Sequence, residues 1–358
     1  MAIHHPLSGD SLAILALTAR SMPGRKASPE RDEPSPLAPS GWARVARALA
    51  AAEATPADLL GREAADLERL LGGAPGAAEV IGRLTARATT LAMEVERLAG
   101  RGIWLVSIVD AAYPARLRER LGDAAPPILY GAGAAELLNA GGVAIVGARD
   151  ADASALAYAT NAAAAVARAG RPVVSGGARG IDAAAMHGAS EAGGTVIGAI
   201  ADSLERQARS TSVRSLVEDE RLVLVSSYGP DVPFSVGTAM GRNRLIYCLA
   251  DAALVVATSE GEGGTWAGAT EALAACWVPV YVRIDAGVPS GNRALISQGA
   301  IALEGGAEGA AQLPEHAAPP APGEAGEPAA DAPAVEQQPL FGGEPAQPKR
   351  ATRRASSS

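Results

Sequence analysis

The chain has 358 residues, a net charge of −8 and 48% hydrophobic residues, enough for one large domain with a smaller one beside it. No apolar run reaches the length of a membrane span, and the opening Met1-Ala2-Ile3-His4-His5-Pro6 lacks the basic-then-apolar order of a secretory signal, so a cytoplasmic protein without membrane contact is expected. Four histidines and two cysteines at no metal-type spacing give no ligand set, and the acidic balance confines any nucleic-acid site to a local patch.

Residues 10–95 carry helical spacing. Ser11 to Arg20 predicts a short apolar helix, Trp42 to Ala52 and Leu59 to Leu71 two more, and Ala77 to Leu98 a long amphipathic one. A polar, proline-rich break at 23–40 separates the first from the rest. The helical N-terminal region is placed at 1–98.

From Gly102 the pattern becomes an alternation of short apolar runs and helices. Strands are predicted at Ile103–Val106, Ile128–Tyr130, Val143–Val146, Pro172–Ser175, Thr195–Ile200, Leu222–Val225, Ala253–Val256, Val278–Val282 and Ala300–Leu303. Helices are predicted at Ser154–Ala169, Ile181–Glu191, Ser212–Glu218, Gly241–Leu249, Thr265–Cys276 and Asn292–Gln298. Continuous apolar strands alternating with helices argue for a doubly wound, mostly parallel α/β sheet over 99–305, covered on both faces. Ligands of such sheets bind beyond the carboxyl ends of the strands.

After Gly305 the chain turns to Ala, Pro, Glu and Gly, and a disordered tail is expected over 306–358. It holds seven acidic and four basic residues, so the remainder still carries −5. Within it Gln337-Gln338-Pro339-Leu340-Phe341 forms an apolar island.

Three strand-end loops carry the chemistry. Gly147-Ala148-Arg149 follows one strand directly. Ser175-Gly176-Gly177-Ala178-Arg179-Gly180-Ile181-Asp182 joins the next strand to a helix, and Gly263-Gly264-Thr265 opens another. Glycines let backbone N–H groups approach a ligand at a helix start, and phosphate is the natural occupant. Arg242-Asn243-Arg244, read as the start of a further helix, adds two guanidiniums whose planar donor forks match phosphate oxygens. Trp266 is available to stack on a base or to pack. Asp182 is read as a helix-start residue rather than an acid or base, and His187 as packing or solvent-facing. Arg206, Arg209 and Arg214 are read as a solvated loop, Cys248 and Cys276 as small hydrophobes in a reducing compartment. No nucleophile–base pair, metal set or cofactor motif is present, so binding rather than catalysis is expected.

At these residues the chain resembles the DNA-processing protein A (DprA, or Smf) family. Asp110 through Tyr113-Pro114 and Ala125 through Gly131 are similar to its lead-in segment, and Gly147-Ala148-Arg149 to its G-[ST]-R loop with Ala148 in place of the hydroxyl residue. Ser175 to Asp182 with His187 resembles S-G-x-A-x-G-I-D…H, Arg242 to Ile246 resembles R-N-R-[IL]-I, and Gly291-Asn292 through Gly299-Ala300 its closing segment. The likeness spans residues 100–303; the tail stands where a winged-helix domain is expected. The resemblance implies a Rossmann-like fold without enzymatic activity that binds single-stranded DNA, forms homodimers and assists loading of the RecA recombinase during transformation. Arg149, Ser175, Gly176, Arg179, Gly180, Arg242, Asn243 and Arg244 would then line the phosphate crevice. Gln337, Leu340 and Phe341 resemble the Q-x-x-L-F motif that docks on the bacterial sliding clamp; the alternative is a chance match in a low-complexity tail. Two other functions stay open: a nucleotide-ligand sensor of a defence system using the same crevice, and a nucleoside-monophosphate phosphoribohydrolase, which needs Glu271 over a ribose.

Overall fold

The computed structural model describes residues 7–19, 35–71 and 77–315. Five helices come first: α1 (Gly9–Thr18), α2 (Pro39–Ala51), α3 (Ala64–Leu70), α4 (Ala77–Thr85) and α5 (Ala88–Ala99). Then follow β1 (Trp104–Ser107), α6 (Ala115–Leu121), β2 (Ile128–Gly133), β3 (Val143–Val146), α7 (Ala153–Arg168), β4 (Val173–Ser175), α8 (Ile181–Glu191) and β5 (Val196–Ala199). Next are α9 (Leu204–Ala208), α10 (Thr211–Glu218), β6 (Leu222–Ser226), α11 (Val236–Leu249), β7 (Ala252–Val255), α12 (Gly263–Ala274), β8 (Val280–Val282), α13 (Ser290–Ser297) and β9 (Ile301–Ala302).

The strands form one sheet in the order β1-β2-β6-β5-β4-β3-β7-β8-β9. From β6 to β9 every pairing is parallel, and β1 and β2 add antiparallel at one edge. Successive residues point to opposite faces. Val143, Ile145, Val173 and Leu254 pack against α7 and α8, whereas Ala144, Val146, Val174 and Val255 pack against α11 and α12. Both faces are covered, which is why the strands read as unbroken apolar runs. The chain runs from β3 outward through β4 and β5 to β6, then returns to the other flank of β3 as β7. That reversal opens a crevice between the carboxyl ends of β3 and β7, the usual ligand position in such sheets.

The helical region shares a continuous apolar core with one sheet face rather than standing apart. Residues Ala13 to Leu17 of α1 are fully buried. Polar ties reinforce the contact: Ser11 Oγ lies 2.9 Å from Ser107 Oγ and donates to Asp110 Oδ1 at 2.8 Å, while Arg101 pairs with the buried Glu205. The long helix predicted over Ala77 to Leu98 is broken between α4 and α5. Arg87 sits at that break and donates to the Ala16 and Ala19 carbonyls at the end of α1, at 2.6 and 2.9 Å. The break expected at 23–40 ends earlier, since Pro39 occupies the first turn of α2, where its missing N–H is harmless.

Residues 306–315, expected to be part of a disordered tail, are instead placed against the domain. Gly306–Gln312 forms a 3-10 helix against α7, with Ala310 and Leu313 buried. Arg171 donates to the Leu313 and Pro314 carbonyls, and Arg168 pairs with Glu308 at 3.4 Å. Alanine and glycine give almost no apolar signal in sequence, yet they fit closely against an alanine-rich helix. Gln337, Leu340 and Phe341 lie outside the described residues.

Candidate nucleic-acid interface

The loops at the carboxyl ends of β3, β4, β6 and β7 meet at the crevice. The amide of Ala148 donates to the Ala257 carbonyl at 2.8 Å, tying the loop after β3 to the loop after β7. The Ile181 amide donates to the Ala148 carbonyl at 3.3 Å, which brings the start of α8 against the same loop. Gly147 is buried beneath Ile181, and Gly177 and Ala178 are buried as well. Gly180 has φ +83°, and a side chain there would strike the Arg149 carbonyl, so the tight approach of the two loops requires glycine.

The structure redistributes the expected phosphate ligands. Ser175 is fully buried and donates to the Ile145 carbonyl at 2.7 Å, so it joins β4 to β3 instead of facing the crevice. Arg242 does not start a helix: α11 begins at Val236, after Ser235, whose Oγ accepts from the Thr238 amide at 3.0 Å. The arginine is therefore mid-helix and 3% exposed. It donates to the Ala199 carbonyl at 3.0 Å and stands 3.9 Å from Asp182 Oδ2. A side chain at Gly176 would fall on the Arg242 guanidinium, so the glycine makes room for this arginine and not for a ligand.

Asp182 is equally buried and accepts from the backbone N–H groups of Gly147 and Ala178. Burial pushes its carboxyl above its ordinary value, opposed by Arg242 and these donors, and burial likewise lowers the Arg242 guanidinium, opposed by Asp182. The pair is a post joining the loops after β3 and β4, the end of β5 and the middle of α11. Its neighbours in the R-N-R run are also cross-links. Asn243 donates to the Gly264 carbonyl at 2.9 Å, holding the loop that opens α12. Arg244 holds Glu271 of α12 through Nε at 2.8 Å and Nη2 at 2.7 Å.

Arg149 and Arg179 are left at the mouth. Arg149 is half-buried, lies over the Phe234 ring at 5.3 Å, and has no carboxylate at ion-pair distance among the described residues. Arg179 is part-exposed and pairs with Asp150 at 2.8 Å. Tyr228, after β6, stands against Gly241 of α11, and burial raises its hydroxyl pKa against the pull of Arg244 and Arg242. Gly263 and Gly264 are exposed, Thr265 is half-buried, and Trp266 packs on the apolar core. His187 is exposed on α8; Arg206 and Arg214 are exposed on α9 and α10, and Arg209, exposed just after α9, pairs with Glu205 at 3.0 Å. Among the described residues there is no cluster of metal-ligating side chains, and no helix is long and apolar enough to cross a membrane.

Sequence reasoning missed Phe234, Tyr228 and Asp150. In a chain that is 3% aromatic, two rings between β6 and α11 were the available signal.

Residues 104–313 match the family model described as DNA recombination-mediator protein A. The chain belongs to that family. Membership places it in DNA processing and recombination, and the match covers the sheet, the crevice loops and the ordered segment after β9. The fold is similar to that of DNA processing protein A from Streptococcus pneumoniae, with TM-score 0.62 and 19% identity over 85% of this chain and 97% of that one. A structure of DNA processing protein A from Helicobacter pylori, described for its single-stranded DNA binding mode, aligns with TM-score 0.46 and 24% identity over 56% of this chain and 91% of that one. The molybdenum cofactor carrier protein of Chlamydomonas reinhardtii aligns with TM-score 0.34 and 20% identity over 48% of this chain and 92% of that one. Among curated proteins none matches.

Proposed function

We propose that this family member binds single-stranded DNA without reading its sequence, in the crevice between the ends of β3 and β7, as a step in recombination-type DNA processing. The observation that carries the reading is Arg149. It sits at the topological switch of the sheet, with no carboxylate at ion-pair distance among the described residues and the Phe234 ring beneath its guanidinium. A guanidinium holds a phosphate through its donor fork, and an adjacent ring gives a base a surface to stack on. Arg179 extends the cationic rim, while Arg242 and Asp182 shape the crevice from below.

The hydrolase reading is disfavoured by Glu271, which is held by Arg244 on the third turn of α12, away from the glycine loop. Loading of RecA, homodimer formation and docking of the sliding clamp on Gln337, Leu340 and Phe341 complete the proposal, each taken from the family resemblance or the tail motif. The test is fluorescence anisotropy of a labelled oligonucleotide, single- and double-stranded, at two salt concentrations. The expected result is preference for the single strand, with affinity falling as salt rises by about 0.7 log unit per log unit for each phosphate neutralised. Equal binding of both forms, or saturable stabilisation by a free nucleotide with no strand binding, overturns it.

A further inference from the structure

The exposed arginine of the crevice mouth is already occupied, and by a carboxylate: Arg179 holds Asp150 Oδ1 at 2.8 Å. This pair differs in kind from Arg242–Asp182, whose side chains are 4% and 7% exposed and carry the loops above them. At the mouth, the side chains of Arg179 and Asp150 are 39% and 81% exposed. Ion pairs open to water to this extent are weak and exchange readily.

Carboxylate and phosphate oxygens present the same acceptor to a guanidinium fork. Asp150 belongs to the strand-end loop of β3, one residue from Arg149, and reaches across to the loop after β4.

We propose that Asp150 is an internal stand-in for a DNA phosphate: it holds Arg179 in the unliganded protein, and a strand binds by displacing it. This rests on the single-strand reading above and adds its regulation. Arg149 takes the first phosphate without competition, and Arg179 is won only by a ligand with a second phosphate in reach. A mononucleotide gains one contact and displaces nothing. A strand gains both, so the carboxylate sets a threshold that favours polyanions in a chain of net charge −8.

The test is anisotropy with a labelled oligo-dT, using the full chain and the variants Asp150→Asn, Arg179→Ala, Asp150→Asn/Arg179→Ala and Arg149→Ala. Asp150→Asn is expected to tighten binding about three- to ten-fold, with the melting temperature unchanged. The gain from Asp150→Asn is expected to vanish when Arg179 is already Ala, because the carboxylate acts through that guanidinium. Unchanged or weaker binding by Asp150→Asn, in a protein whose wild type binds and whose Arg149→Ala variant does not, overturns this inference alone. A gain that persists in the Arg179→Ala background overturns it too, because Asp150 then acts only as a distant repulsive charge. No binding by wild type or by Asp150→Asn overturns both readings. Binding gained by Asp150→Asn where wild type shows none supports it.

Discussion

Replacing Arg242 with Ala tests the assignment of this residue to the framework of the crevice rather than to its ligand surface. The guanidinium is 3% exposed and answers a carboxylate, Asp182, that is 5% exposed. Removing one member of such a pair strands the other without solvent, a loss of about 3–5 kcal/mol. At about 2–4 °C per kcal/mol for a domain of this size, the melting temperature should fall by roughly 6–20 °C. The loss should also depend on pH. Burial raises the Asp182 carboxyl above its ordinary 3.8, and without Arg242 it rises further. A raised carboxyl favours the folded state fully below its unfolded pKa, and that contribution is lost as pH rises through the folded value. The deficit of Arg242→Ala relative to wild type should therefore be largest near neutrality and shrink as pH falls through the raised pKa toward 3.8. Urea titrations of both proteins across that range measure it. A deficit below about 1 kcal/mol at neutral pH, or one independent of pH, would refute the reasoning.

Other substitutions separate the remaining roles. Phe234→Ala should weaken binding of an oligonucleotide by about 1–3 kcal/mol through lost base stacking, and should leave binding of an abasic strand near the wild-type value; an equal loss on both would remove the ring from base contact. The paired change Leu340→Ala and Phe341→Ala should abolish retention of this chain on immobilised sliding clamp while leaving oligonucleotide affinity unchanged; retention by the variant would end the docking proposal.

Much of the sheet was legible because its strands are buried on both faces and bounded by glycine. Val143–Val146 and Ile181–Glu191 were read with the boundaries the structure shows. The start of α11 was not. Gly237 and Gly241 are poor helix formers, and the second was taken for a helix start, although Ser235 and Thr238 form a capping box six residues earlier. That error moved Arg242 to a helix end, where an arginine faces solvent. Its burial depends on Gly176, distant in sequence, leaving space beneath the loop after β4, and no local pattern records such a contact. Arg149 was legible because a residue three positions past a central strand must lie at the sheet's ligand edge. Asp150 was not, because its meaning comes only from the arginine across the gap.

The most direct test of the account compares wild type and Arg149→Ala for binding of a labelled single strand at low salt, alongside their melting curves. Arg149 is half-buried and forms no ion pair with the buried post among the described residues, so the expected result is an affinity loss of at least about ten-fold, the scale of one charge-assisted contact, with the melting temperature little changed. Wild-type affinity in a folded Arg149→Ala protein would contradict the claim that the crevice between β3 and β7 is where the strand is held.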